Sequence, residues 1–202
     1  MLTAEYLKLY DDIATVPHDP KVYVDPSVTV GAGGSLTAPV FILGSSPTID
    51  DQYVGRPFCG EEGSILKAAL VEVGLIPSRV YLTNFVKHVL RIPDDEYEGS
   101  EIRSPSRAEL TAYRPFVIRE IRLVKPKVVV CLGGSAAKGL LAVSEFRVMR
   151  EVGRSFAVVD VACPVVATVH PRFLQKHRGI AGQAFRECIE DFRFALRTSE
   201  KQ

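Results

Sequence analysis

"APVFILGSSPTIDDQYVGRPFCGEEGSILKAALVEVGL", residues 38–75, changes its periodicity twice within one stretch. "VFIL" (40–43) is a continuous apolar run bounded by Pro39 and Gly44, the pattern of a short strand buried on both faces. A polar loop follows, holding Gly, Pro and two adjacent acids. "EEGSILKAALVEVGL" then sets Ile65, Leu66, Ala69, Leu70 and Val73 at helical spacing and stops at Gly74, a good helix terminator. Strand, loop and helix in that order form the repeating unit of an α/β fold.

The alternation continues outward. "MLTAEYLKLYDDIATV" reads as a short amphipathic helix, and residues 17–39, rich in Pro, Gly and Asp, as an extended lead-in. "VYLTN" (80–84), "KVVVCLG" (127–133), "SFAVVDV" (155–161) and "VVATV" (165–169) are further strands. Residues 91–105 are polar and predict a loop. Ser106 and Glu109 have capping-box spacing, and the helix they open runs to Lys125; Pro115 inside it should kink it or end a first short helix. Phe185, Cys188, Ile189, Phe192 and Leu196 mark a last helix. Short, continuously apolar strands between helices predict a mainly parallel, covered sheet.

Composition removes several classes. With 47% apolar and 24% charged residues among 202, and net charge +1, the chain has the balance of a globular protein, and a nucleic-acid partner would need a local basic patch. No apolar run is long enough for a membrane span or a signal peptide, so an intracellular, cytoplasmic location is expected. Cys59, Cys131, Cys163 and Cys188 stand far apart without CxxC spacing, as reduced and mostly buried thiols do. No zinc or iron–sulfur spacing is present.

In parallel sheets ligands bind beyond the carboxyl ends of the strands. That rule brings together the loop from Gly44, Asn84 at the end of "VYLTN", and His170 after "VVATV". Asn84 either closes a turn or reads a base edge, since its amide both donates and accepts. His170 precedes Pro171, which favours an extended backbone with the ring aimed outward. Phe58 alone would be a core aromatic. "LGGSAAKGLL" (132–141) lacks GxxxxGK[ST] and reads as a tight turn opening a helix. "RFLQKHRG" (172–179) is a basic loop beside the same rim, suited to phosphates.

These segments resemble the uracil-DNA glycosylase superfamily, most nearly its family 4. "VGAGGSLTAPVFILGSSPTIDDQYVGRPFCGEEGSIL" is similar to that family's first motif region, "VYLTNFVKH" to its second, and "VVATVHPRFLQ" to its third; "RPFVIREIRLVKPKVVVCLGGSAAKGLL" matches the helix and strand between. The resemblance implies a three-layer α/β/α sandwich around a central, mainly parallel four-stranded sheet. It implies one domain over 1–202, with 1–38 a helix and lead-in. It implies a protein that flips uracil or a related pyrimidine out of single- or double-stranded DNA, excises it by hydrolysis, and releases the free base and an abasic site; nothing in the sequence demands an oligomer, so a monomer is expected. A non-catalytic DNA- or base-binding protein on the same fold is the alternative.

By that resemblance Phe58 stacks on the base, Asn84 binds its Watson–Crick edge, His170 donates to O2 of the departing base, and the backbone at Ser45 and Ser46 lines the pocket. Phe173 or Leu174 wedges the duplex, while Lys87, Arg172, Lys176 and Arg178 meet DNA. Two departures carry expectations of their own. The family's four-cysteine iron–sulfur cluster has His88 and Tyr113 at its third and fourth positions, and no cysteine precedes Cys59. No cluster and no other cofactor are expected, with packing taking over the cluster's structural role and water as the only second reactant. The family's first-motif Glu is Ser45 here, so Asp51, with Asp50 beside it, becomes the candidate carboxylate.

Overall fold

The computed structural model describes residues 2–16, 25–92, 102–151, 153–177 and 179–200. Part of the expected lead-in, residues 17–24, and most of the expected loop at 91–105, residues 93–101, lie outside the described residues.

Four strands run parallel at the centre: β2 (Val40–Gly44), β3 (Val80–Asn84), β4 (Val128–Leu132) and β6 (Val161–Thr168). Two antiparallel edge strands, β1 (Gly33–Gly34) and β5 (Ser155–Val158), extend this core to six strands in the order β1-β3-β2-β4-β6-β5. The expected four-stranded sheet is therefore the parallel core of a wider one. β1 consists of two glycines and gives a side-chain pattern nothing to display.

Alternation along the strands divides the core into two layers. Phe41, Leu43, Tyr81, Val129 and Cys131 face one side, against α1 (Leu2–Ala14), α4 (Arg107–Val124) and α5 (Gly133–Leu141). Val40, Ile42, Val80, Val128 and Val130 face the other, against α3 (Glu61–Glu72) and α7 (Gln183–Ser199). Both faces are covered, which is why the strands read as unbroken apolar runs. Burial pushes the thiols of Cys163 and Cys188 up to about 11, so they remain protonated filler.

Helix ends follow local chemistry. Ser106 and Glu109 form the capping box of α4, and Gly74 adopts φ +72° just past α3. α4 runs unbroken through Pro115, so the helix is not divided there. A helix absent from the sequence reading, α2 (Ile49–Val54), fills part of the polar loop and is opened by a Thr48/Asp51 capping box. Among the described residues no helix is long and apolar enough to cross a membrane.

His88 and Tyr113 meet in the layer beneath α4. His88 Nδ1 lies 2.7 Å from the Tyr113 hydroxyl, and Nε2 lies 3.3 Å from Thr29 Oγ1. A phenol and an imidazole committed to each other do not suit an iron–sulfur cluster, which is held by thiolates.

Candidate active site

Pairing of Gly44 with Asn84 and of Leu132 with Thr168 puts the parallel strands' carboxyl ends on one rim. The chain leaves β2 for β3 on one side, then crosses back to β4 on the other. The crevice of such a sheet opens at that reversal. Here it opens between the loop after β2 and the turn after β4, flanked by His170 after β6.

The cleft has two adjoining lobes of about 290 Å³ each, at the small end for ligand sites, which suits one base or one sugar–phosphate unit rather than a length of duplex. One lobe lies against Phe58 and Gly60 and carries Asp50, Asp51 and Glu61. The other is lined by Ser45, Gly133, Gly134 and Ser135 at the start of α5, with Arg103 and Lys176. Ser46, Thr48, Glu62, His170 and Arg172 border both. Acids crowd the lobe beside the aromatic ring, whereas in the second lobe Arg103 is paired with Glu109 at 2.7 and 2.8 Å and Arg172 with Glu62, so Lys176 and the start of α5 set its charge. An anion is favoured in the second lobe and an electron-poor group in the first.

Phe58 holds φ +59°, an unusual conformation for a bulky residue and a strain that a surrounding fold must sustain. Its backbone rests on Gly63, where a Cβ would come within 1.8 Å of the Phe58 carbonyl oxygen. At Gly44 a Cβ would fall 2.2 Å from Asn84 Oδ1 and 2.7 Å from Phe58 Cζ, so this glycine lets ring and amide approach each other. Asn84 is 2% exposed, and neither Oδ1 nor Nδ2 has a hydrogen-bond partner among the described residues. A buried amide without partners is costly, which makes Asn84 a candidate for satisfaction by a ligand reaching it beside Phe58, although Asn84 itself lines neither lobe.

His170 caps α6 (Pro171–Lys176): its Nδ1 accepts the backbone N–H of Arg172 at 3.2 Å, which leaves the ring proton on Nε2. Burial holds its pKa below the usual histidine value; nearby Glu62 acts in the opposite sense and Arg172 in the same one. A Cβ on Gly133, at φ +86°, would come within 3.0 Å of His170 Cβ, so glycine is needed at the turn. The segment expected as a basic loop is a short helix because Pro171 takes its first position.

Three site expectations need correction. Asp51 is buried, with Oδ2 accepting the N–H of Thr48 at 3.0 Å and Oδ1 that of Cys59 at 2.7 Å. It fixes the loop and is not a free, water-holding carboxylate. Lys87 does not reach DNA. It is 0% exposed, and its Nζ donates to Thr83 Oγ1 (2.5 Å), the Asn84 carbonyl (2.6 Å) and Glu120 Oε2 (2.7 Å). Tyr81 and Tyr10 donate to the other oxygen of Glu120, at 2.6 and 3.1 Å. Leu174 is 1% exposed in the core, so it cannot be the wedge, whereas Phe173 is 38% exposed and lies against the His177 ring at 4.1 Å.

Arg172 and Lys176 are exposed along the second lobe, Arg172 with its Nε on Glu62 Oε1 at 2.7 Å. Arg178 lies outside the described residues. Sequence reasoning passed over Glu62 and Arg103. Glu62 sits in the first turn of α3, where an acid is read as a partner of the helix dipole. Arg103 lies in the polar stretch 91–105, whose composition predicts only a loop.

Fold and cleft together define an α/β protein with a polar crevice at the carboxyl ends of its parallel strands. The chain belongs to the Uracil DNA glycosylase superfamily, whose model matches residues 31–193. It is 28% identical to the type-4 uracil-DNA glycosylase of Thermotoga maritima over 87% of this chain and 85% of that protein. It is also 28% identical to the type-4 enzyme of Pyrobaculum aerophilum over 74% of each chain, and to that of Archaeoglobus fulgidus over 68% of this chain and 67% of its relative.

Proposed function

We propose that this protein is a DNA glycosylase that takes uracil, or a closely related pyrimidine, out of the base stack and hydrolyses its C1′–N1 bond. The observation that carries the reading is the unpartnered amide of Asn84, buried against Gly44 beside Phe58. An amide that donates at one end and accepts at the other complements the O4/N3–H edge of uracil and mismatches cytosine, where donor and acceptor are exchanged. Phe58 supplies the stacking face. Extruding the base costs a few kcal/mol, which stacking and hydrogen bonding in the pocket offset.

Bond cleavage leaves negative charge on the departing base. His170 meets it with Nε2–H from a neutral ring whose other nitrogen is already used, so the donor is preorganised. The second lobe, with Lys176 and the start of α5, takes the flanking phosphate, and Phe173 is the group able to enter the stack. The family relation and the similarity to type-4 enzymes support the same class of reaction.

The test is direct. A uracil-containing oligonucleotide, incubated with the protein and treated with alkali, is expected to break at the uracil. No breakage on single-stranded, U:G or U:A substrates, with binding retained, leaves a base-binding protein on the glycosylase fold.

A further inference from the structure

Hydrolysis of a glycosidic bond needs a group to hold water against C1′. The loop after β2 does not supply one: position 45 is serine, Asp51 is engaged by two backbone amides, and Asp50 is exposed on α2. Glu61 is also exposed and accepts from Gln175 at 2.6 Å. Glu62 differs from all of these. It borders both lobes, its side chain is 14% exposed, and its Oε1 is held by Arg172 Nε at 2.7 Å. Its Oε2 lies 3.8 Å from His170 Nδ1, too far for a hydrogen bond. That nitrogen already accepts the Arg172 N–H, so no proton lies between ring and carboxylate. Among the described residues Oε2 thus makes no hydrogen bond, on a side chain that borders both lobes of the cleft.

We infer that Glu62 is the carboxylate of the reaction, holding the attacking water on Oε2 while Arg172 fixes its orientation. The assignment rests on the glycosylase reading above. The C1′–N1 bond breaks and its electron pair leaves with the base, where His170 Nε2–H stabilises it. Water oxygen bonds to C1′; its proton passes to Glu62 Oε2 and then to the base, which departs neutral. The carboxylate also lies where a sugar losing electrons gains from a negative neighbour. Arg172 is thus a positioning residue before it is a phosphate contact.

The experiment compares single-turnover uracil excision by wild type, Glu62→Gln, Glu62→Ala and Arg172→Ala, with binding measured on an oligonucleotide carrying non-hydrolysable 2′-fluorodeoxyuridine. Glu62→Gln is expected to slow excision ~100-fold or more while binding stays within about threefold, the range of a lost general base. Added formate should restore Glu62→Ala by about tenfold or more, because a small carboxylate can occupy the vacated space, and should leave wild type and Arg172→Ala unaffected. The formate arm needs only one folded variant, checked by its melting curve. Glu62→Gln excising at the wild-type rate, a loss mirrored in binding, or no formate effect overturns the assignment while the glycosylase reading stands. A wild type without excision overturns that reading and this assignment with it.

Discussion

The backbone N–H of Arg172 donates to Nδ1 of His170, two residues before it, so a helix cap sets the tautomer of the ring that faces the cleft. A cap normally satisfies a helix end. This one also decides which nitrogen can donate outward, and it ties the first turn of α6 to the chemistry of the rim.

Replacing His170 with Gln should lower single-turnover excision by ~10²–10³-fold, the usual effect of removing one donor to a developing anion. Burial depresses the pKa of this ring in the folded state. Its stability contribution is therefore complete above the unfolded value of about 6.5 and is lost as pH falls through the lower folded value. An NMR titration should place its midpoint below that of a free histidine, with excision persisting into the same acid range. A midpoint above the free value would contradict the neutral-donor role.

Gly44→Ala puts a methyl group onto Asn84 Oδ1 and the tip of Phe58. Overpacking of this kind costs about 1–3 kcal/mol. The larger effect should be on excision, down at least about tenfold, because the ring and amide that frame the base must move apart. Urea melts and single-turnover rates on the same preparation separate the two effects.

Lys87 and Glu120 form an ion pair with both side chains 0% exposed. Removing one partner strands a buried charge, so Lys87→Met should lose about 3–5 kcal/mol in urea unfolding. Adding Glu120→Gln should recover much of that loss. If the single variant melts like wild type, the pair is not holding the end of β3.

Lys176 borders the second lobe and is exposed. Lys176→Ala should weaken binding to every DNA sequence alike and reduce the slope of log K against log salt by about one. An unchanged slope would remove it from the phosphate contacts.

The parallel core was legible because its strands are covered on both sides and so read as apolar runs, and the rim followed from their carboxyl ends. Elements whose signal lies in few residues were not. α2 has only six, and its signal, the Thr48/Asp51 cap, rests on the same Asp51 that the family resemblance makes a candidate carboxylate. Lys87 was misassigned because its partner Glu120 is 33 positions away on α4, and nothing in "TNFVK" shows that a lysine is enclosed. Leu174 and Phe173 are adjacent apolar residues in one segment, and only the docking of α6 against the core decides which one points out. Glu62 escaped notice because its meaning depends on His170 and Arg172, which arrive more than a hundred residues later.

The order of the sheet also governs when the site can exist during synthesis. Gly44, Phe58 and Asn84 leave the ribosome before His170 and Arg172, and β6 must pair beside β4 before those two can close the cleft. Until then the growing chain presents the free edge of β4, whose parallel partner arrives only after a long connection, and such pairings form slowly. The nascent protein thus completes its pocket only after β6 and the turn into α6 have emerged, with the edge of β4 unpaired in the interval.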